Sequence, residues 1–255
     1  MNLHLLDGYA TSLLLHVVRV GSFFAVNPLF GRQTDSLMLR LVLAVGLGGV
    51  FWWVGDQSIA VPQSMLALGV LALREAVIGI ALGFAVSALT SLLVTAGEIV
   101  SSEMGFSLAR TMNPESGTDA TVISQLLQVF GFLLILHFDL HHDVLRIVEQ
   151  TFRSCRVGQP FDIEPIWLGL NDIVGGGIDL AVQYALPVLG VMFLLSVGMV
   201  LLGRAVPAIN LMEFGFALRV LAALAVMAFF LVEGSPFLIQ TFSSLLQRAA
   251  NMFPA

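Results

Sequence analysis

Long apolar runs broken by short clusters of Pro, Gly and polar residues predict six helical regions. The first extends from about Leu3 to Val26 and stops at Asn27-Pro28, because the residue before a proline avoids the helical region. The second covers about Leu37 to Val54, after the loop NPLFGRQTDS. The third begins near Pro62, a favourable first-turn position, and continues through Val94 or beyond, longer than one bilayer crossing requires. The fourth occupies about Val122 to Phe138 and is followed by a more polar amphipathic extension, HHDVLRIVEQTF. The fifth runs from about Ile178 to Leu202, with Pro187 inside it as an expected kink. The sixth spans about Phe216 to Leu231, and after Gly234-Ser235-Pro236 the segment FLIQTFSSLLQRAANMF has the alternation of an amphipathic helix.

Between the third and fourth regions lies GEIVSSEMGFSLARTMNPESGTDATVISQ, residues 97–125, rich in small, polar and helix-breaking types. Glu98 and Glu103 sit near its start, Gly105 and Pro114-Glu115-Ser116-Gly117 break helix, and Met104, Phe106, Leu108 and Met112 supply bulky apolar side chains. Irregular backbone at membrane depth is tolerated only where protein or a water-filled cavity surrounds it. Two readings follow: an ordinary exposed loop, or a segment lining a passage, where a hydrophobic constriction gates by dewetting and flexible methionine adapts its fit.

Composition settles the environment. Hydrophobic residues make up 58% of the 255 and charged residues 11%, and the mean hydropathy is +0.94, the balance of an integral membrane protein. The 24 glycines predict helices that pack backbone to backbone. Net charge is -6 and lysine is absent, which excludes the basic footprint of a nucleic-acid binder. The single cysteine, Cys155, has no disulfide partner and no CxxC neighbour. The start, MNLHLLDGYATSLLLHV, lacks a basic n-region and cleavage site, so the N-terminus is expected to be retained. Arginine counts give no orientation. With six alternating crossings, Arg32, Arg110 and Arg204 fall on one side and Arg146, Arg153 and Arg156 on the other, a tie that points away from ordinary spanning topology.

Charge inside apolar runs is the most informative chemistry, since each such residue costs about 2.5–3.5 kcal/mol at mid-membrane. Arg19, Arg40, Arg74, Glu75 and Arg219 all lie in or beside such runs. Glu75, Gly79 and Gly83 share one helix face, which sets a carboxylate above a strip where another helix comes close. Two readings stay open: a packing lock with an arginine of another helix, or a proton relay. In HFDLHHDV, His137 and His141 have the i, i+4 spacing that can hold a metal, while a polar helix end explains the same residues. No Ser-His-Asp order, G-x-S-x-G elbow, Walker loop or H-E-x-x-H is present.

An ordered set of motifs resembles one family. It comprises R-V-G at 19–21, P-L-F-G at 28–31, Arg40, E-x-x-x-G-x-x-x-G-F at 75–84 and AGEIVSSEMGFSLARTMNPESG at 96–117. Further on come His141, Thr151-Phe152 and Gly158, then R-A-V-P-A-I-N at 204–210 and G-F-A-L-R at 215–219. The pattern is similar to the FliR subunit of the bacterial flagellar type III protein export gate and its injectisome relatives. Departures are Glu103 for glutamine, Thr121, Arg156 and Ala217 for prolines, and Leu140 for the glycine before the histidine.

The resemblance implies an all-α integral membrane protein of about six hydrophobic helices, arranged as hairpins that join a helical multi-subunit export-gate cone. It implies a single domain over 1–255, with a FliP-like half over about 1–170 and a FliQ-like hairpin half over about 171–255. Residues 97–121 become a pore plug carried by Met104, Gly105, Phe106, Leu108, Met112, Asn113, Pro114 and Gly117. Arg40, Glu75, Gly79, Gly83, Glu98, Arg204, Pro207, Asn210, Glu213 and Arg219 become buried-charge and packing positions. The implied partners are FliP-like and FliQ-like subunits, FlhB-like and FlhA-like membrane subunits, and unfolded proteins in transit. The implied location is the bacterial inner membrane at the flagellar basal body, with an injectisome as the alternative. No enzyme activity, cofactor or metal is expected. The competing classes are a proton-coupled secondary transporter using Glu75, for which no internal repeat is evident, and an intramembrane hydrolase, for which no nucleophile and base are selected.

Overall fold

The computed structural model describes residues 3–26, 37–55, 64–105, 121–159, 162–205 and 211–253, apart from the side chains at 3–6, 89, 211–214 and 232. Within these lie α1 (Leu3–Val26), α2 (Leu37–Val54), α3 (Met65–Met104), α4 (Val122–His137), α5 (Leu140–Ser154), α6 (Glu164–Ala205), α7 (Leu211–Glu233) and α8 (Ser235–Asn251). The described residues contain no strand. Among the described residues, four helices are long and apolar enough to cross a membrane, and up to six crossings result if the bent pairs α4/α5 and α7/α8 each count as one.

Two boundaries differ from expectation. The apolar pattern placed the fifth helix from Ile178, but α6 begins at Glu164. The segment EPIWLGLNDIVGGG looks loop-like because of its Asn, Asp and Gly residues, yet Pro165 suits a first turn and the Asp162 carboxylate accepts the Glu164 N–H at 3.1 Å. Ile166 and Ile173, both buried, give that turn-rich stretch one apolar side. The extension after the fourth region is a separate helix: Asp139 adopts a left-handed conformation (φ 56°) and breaks α4 from α5. α5 then buries Leu140, Val144, Ile147, Val148 and Thr151, a stripe at helical spacing. α6 continues through Pro187.

The chain divides into two compact units. The first comprises residues 1–89, 139–174 and 243–255, and the second 90–138 and 175–242. In the first unit, α1 and α2 are antiparallel: a Cβ on Gly48 would lie 3.0 Å from Val17, and one on Gly21 would lie 3.6 Å from the Ala44 Cβ. α3 runs parallel to α1, as an up-down-up connection requires. A Cβ on Gly79 would collide with the Arg19 carbonyl and the Ser22 hydroxyl, and one on Gly83 would lie 2.7 Å from the Phe23 carbonyl. The strip Glu75-Gly79-Gly83 therefore meets α1 backbone directly.

In the second unit, Gly97 abuts Ser124 and Gly131 abuts Leu93, so α3 and α4 form an antiparallel hairpin. α6 and α7 form another: Gly215 abuts Met199, and Tyr184 meets Phe230 edge-on with centroids 5.4 Å apart. Other glycines, including Gly46, Gly49, Gly69, Gly190 and Gly198, have no atom within 4 Å of a Cβ position.

The two glycine classes separate by stability. Gly79→Ala is expected to cost on the order of 1–3 kcal/mol by overpacking α1. Gly46→Ala, with open space at its Cβ, should be neutral or gain up to about 1 kcal/mol of helix propensity. Melting midpoints of the detergent-purified variants measure the difference.

Candidate functional site

Arg19 and Glu75 are both buried to within a few per cent of full enclosure, in the first unit. Arg19 Nε donates to Glu75 Oε2 at 2.6 Å, and Nη2 of the same guanidinium lies 2.6 Å from that oxygen. Nη1 donates to the Thr151 carbonyl at 2.8 Å, and Nη2 to the Cys155 carbonyl at 2.8 Å. These two acceptors lie at the C-terminus of α5, where the Thr151 carbonyl also accepts the Cys155 N–H and the helix dipole favours a cation. The other carboxylate oxygen, Oε1, accepts the Gly158 N–H at 3.3 Å. Gly158 has φ 79°, a conformation glycine adopts without penalty.

Aromatic rings close the site. The Arg19 guanidinium carbon lies 4.4 Å from the Phe152 ring centroid, a cation–π distance. His16 stacks on Phe152, with centroids 4.9 Å apart and planes 9° apart, and Phe51 packs on the same ring at 5.3 Å. One arginine thus joins α1, α3 and the end of α5, with its donors directed at a carboxylate and at two carbonyls. Ionising both partners in an apolar interior is costly, and this bonding offsets that cost.

The second unit contains the base of the polar stretch. Glu98 Oε1 accepts the Thr121 N–H at 2.9 Å and the Ser124 hydroxyl at 2.8 Å. Thr121 is the N-cap of α4, its side chain accepting from the Ser124 N–H. A carboxylate here satisfies orphan donors and complements the helix dipole. Gly97, by lacking a side chain, lets α3 approach this turn. On the other foot, Met104 and Ser101 are fully buried. Gly105 follows at φ 89°, where a Cβ would lie 3.6 Å from the Phe216 ring of α7.

Of the expected site residues, Glu75, Gly79 and Gly83 come together on α1, and Met104, Gly105 and Glu98 gather at the loop base. Phe106, Leu108, Met112, Asn113, Pro114, Gly117, Pro207 and Asn210 lie outside the described residues, as does the Glu213 side chain. Arg204 is exposed near the end of α6. Arg219 donates to the Ser196 hydroxyl at 3.2 Å, and Arg40 is half-buried on α2. Sequence reasoning placed Arg19 and Phe152 in motifs without a shared role, and did not read Thr121 as a cap. A Thr directly before an apolar run was a readable cap signal; the Arg19–Glu75 pairing had none, since 56 residues separate the two.

Long apolar helices, glycine-mediated contacts and a buried, fully engaged ion pair define an all-helical, multi-pass membrane protein. A family model described as bacterial export proteins, family 1, matches residues 10–249. The chain belongs to that family. Its relatives include proteins named flagellar biosynthetic protein FliR, among them those of three bacteria. The one from Bacillus subtilis is 25% identical over 82% of both chains. The one from Caulobacter vibrioides is 24% identical over 88% of this chain and 91% of its own. The one from Escherichia coli is 29% identical over 71% of this chain and 70% of its own.

Two outcomes follow from this geometry. Arg19→Met and Glu75→Leu should each cost about 3–5 kcal/mol, and the double variant less than their sum, because each single change strands a buried charge. Denaturant unfolding of the four proteins measures the coupling, and an additive cycle would remove the pair from the argument. Burial pushes the Cys155 thiol above its ordinary value. Maleimide labelling of this sole cysteine should therefore lag that of the denatured chain at neutral pH, and keep rising with pH beyond about 8.5, where that of the denatured chain levels off.

Proposed function

We propose that this chain is a structural and gating subunit of the flagellar type III protein export channel, through which unfolded substrates pass during flagellum assembly. The flagellar name carried by these relatives favours the flagellum over an injectisome. The location is the bacterial inner membrane at the basal body. The role is mechanical, with energy supplied by other components.

The observation that carries the gating part is the anchoring of residues 106–120 at both ends. The stretch connects an antiparallel hairpin. One end leaves a fully buried Met104 through a left-handed Gly105. The other end enters α4 at a cap held by Glu98. Anchored ends fix where the connection starts and where it returns. On this reading Phe106, Leu108 and Met112 join Met104 in an apolar seal, and Asn113, Pro114 and Gly117 provide the turn that folds it back.

Exposed apolar side chains along α2 and α6, among them Leu41, Trp53, Phe193 and Leu201, and the open glycines Gly46, Gly49, Gly190 and Gly198 require lipid or other helices as cover. We assign part of that cover to FliP-like and FliQ-like subunits in a helical cone, with FlhB-like and FlhA-like subunits nearby. Residues 1–170 serve as the FliP-like half and 171–255 as the FliQ-like hairpin half. Arg40, Arg204, Pro207, Asn210, Glu213 and Arg219 are assigned to contacts that hold the assembly.

Deleting residues 106–116 in cells that also make the partner subunits should raise ion leakage through the assembled gate, read as loss of membrane potential. A deletion complex that assembles and leaks no more than wild type would refute the seal.

A further inference from the structure

At the start of α5, Asp139, His141 and His142 bring one potential ligand atom each to within 4.8 Å of one another. We propose that these three residues form a binding site for a zinc-class divalent cation. The i, i+4 pair His137 and His141 does not do so as one helix face, because the left-handed Asp139 ends α4 between them.

Each of the three is available. Asp139 is the N-cap of α5 yet makes no side-chain capping bond, so its carboxylate is not committed to the helix. Its backbone carbonyl accepts the His142 N–H at 2.9 Å, and this tight turn carries the His142 ring back over Asp139. His142 Nδ1 lies 3.7 Å from Asp139 Oδ1. Two ligands held at about 2.1 Å by a tetrahedral centre stand roughly 3.4 Å apart, so a small rotamer change closes the gap. The His141 and His142 rings lie 4.2 Å apart, tilted by 35°. His141 Nδ1 is screened from solvent and has no hydrogen-bond partner. A ring nitrogen in that state is left without a polar partner, and a metal ion can supply one.

Two imidazoles and one carboxylate suit borderline divalent ions over the hard alkaline-earth cations, which prefer all-oxygen shells. The neighbouring Asp143 is engaged by Arg146 at 2.9 Å, which leaves three protein donors. A fourth tetrahedral position stays open to water or to a donor from outside this chain.

The test uses the full-length chain, purified without a polyhistidine tag and titrated with zinc chloride against a chromophoric chelator. The expected result is one zinc per chain with a Kd below about 10 μM. Affinity should fall more than about tenfold in His141→Gln/His142→Gln and in Asp139→Asn, which keeps a residue tolerant of the left-handed backbone. Because these groups are exposed or half-exposed, the metal-free melting points should match wild type, which separates ligand loss from misfolding. Absence of stoichiometric zinc, or wild-type affinity in both variants, would overturn the site and leave Asp139 and His142 as a solvent-exposed ion pair.

Discussion

The first unit depends on one charge interaction made away from water. An arginine and a carboxylate, each placed in an apolar helix, are unfavourable separately and tolerable only together. Arg19 and Glu75 meet with every guanidinium nitrogen directed at an oxygen. Because two of those oxygens are carbonyls at the end of α5, the pair also fixes where that helix stops. The Gly158 N–H on the free carboxylate oxygen extends the same control to the following turn. Electrostatics that must be satisfied thus specify which helices neighbour which, while the glycine strip determines how closely they approach.

The second unit applies the same constraint to a weaker set of groups. A helix N-terminus presents donors without partners, and Glu98 supplies an acceptor from the adjacent helix. Gly97 permits the approach; a side chain there would meet Ser124. The result is a hairpin whose polar connection has defined ends.

Much of the chain's apolar surface is not used within the chain. The α2 and α6 side chains exposed here are as apolar as those in the core. In water such surface would drive aggregation; in a bilayer or beside other apolar helices it is ordinary. Membership in an export family and the open glycines agree with a chain that completes its packing in an assembly.

The sequence by itself determined the all-helical membrane class, the number of apolar regions and the shared face of Glu75, Gly79 and Gly83, because run length and 3.6-residue periodicity are local properties. It also marked residues 97–125 as unlike their surroundings, since helix breakers act on their own neighbours. It misjudged the start of α6, where a one-sided helix carries enough Gly, Asn and Asp to resemble a loop. Only the tertiary structure decided that Arg19, among several arginines, meets Glu75, that Glu98 reaches the cap at Thr121, and that Asp139 turns two histidines together. Those pairings join residues far apart in the chain or depend on a single backbone dihedral, and neither distance in space nor a left-handed φ leaves a periodic trace in the sequence.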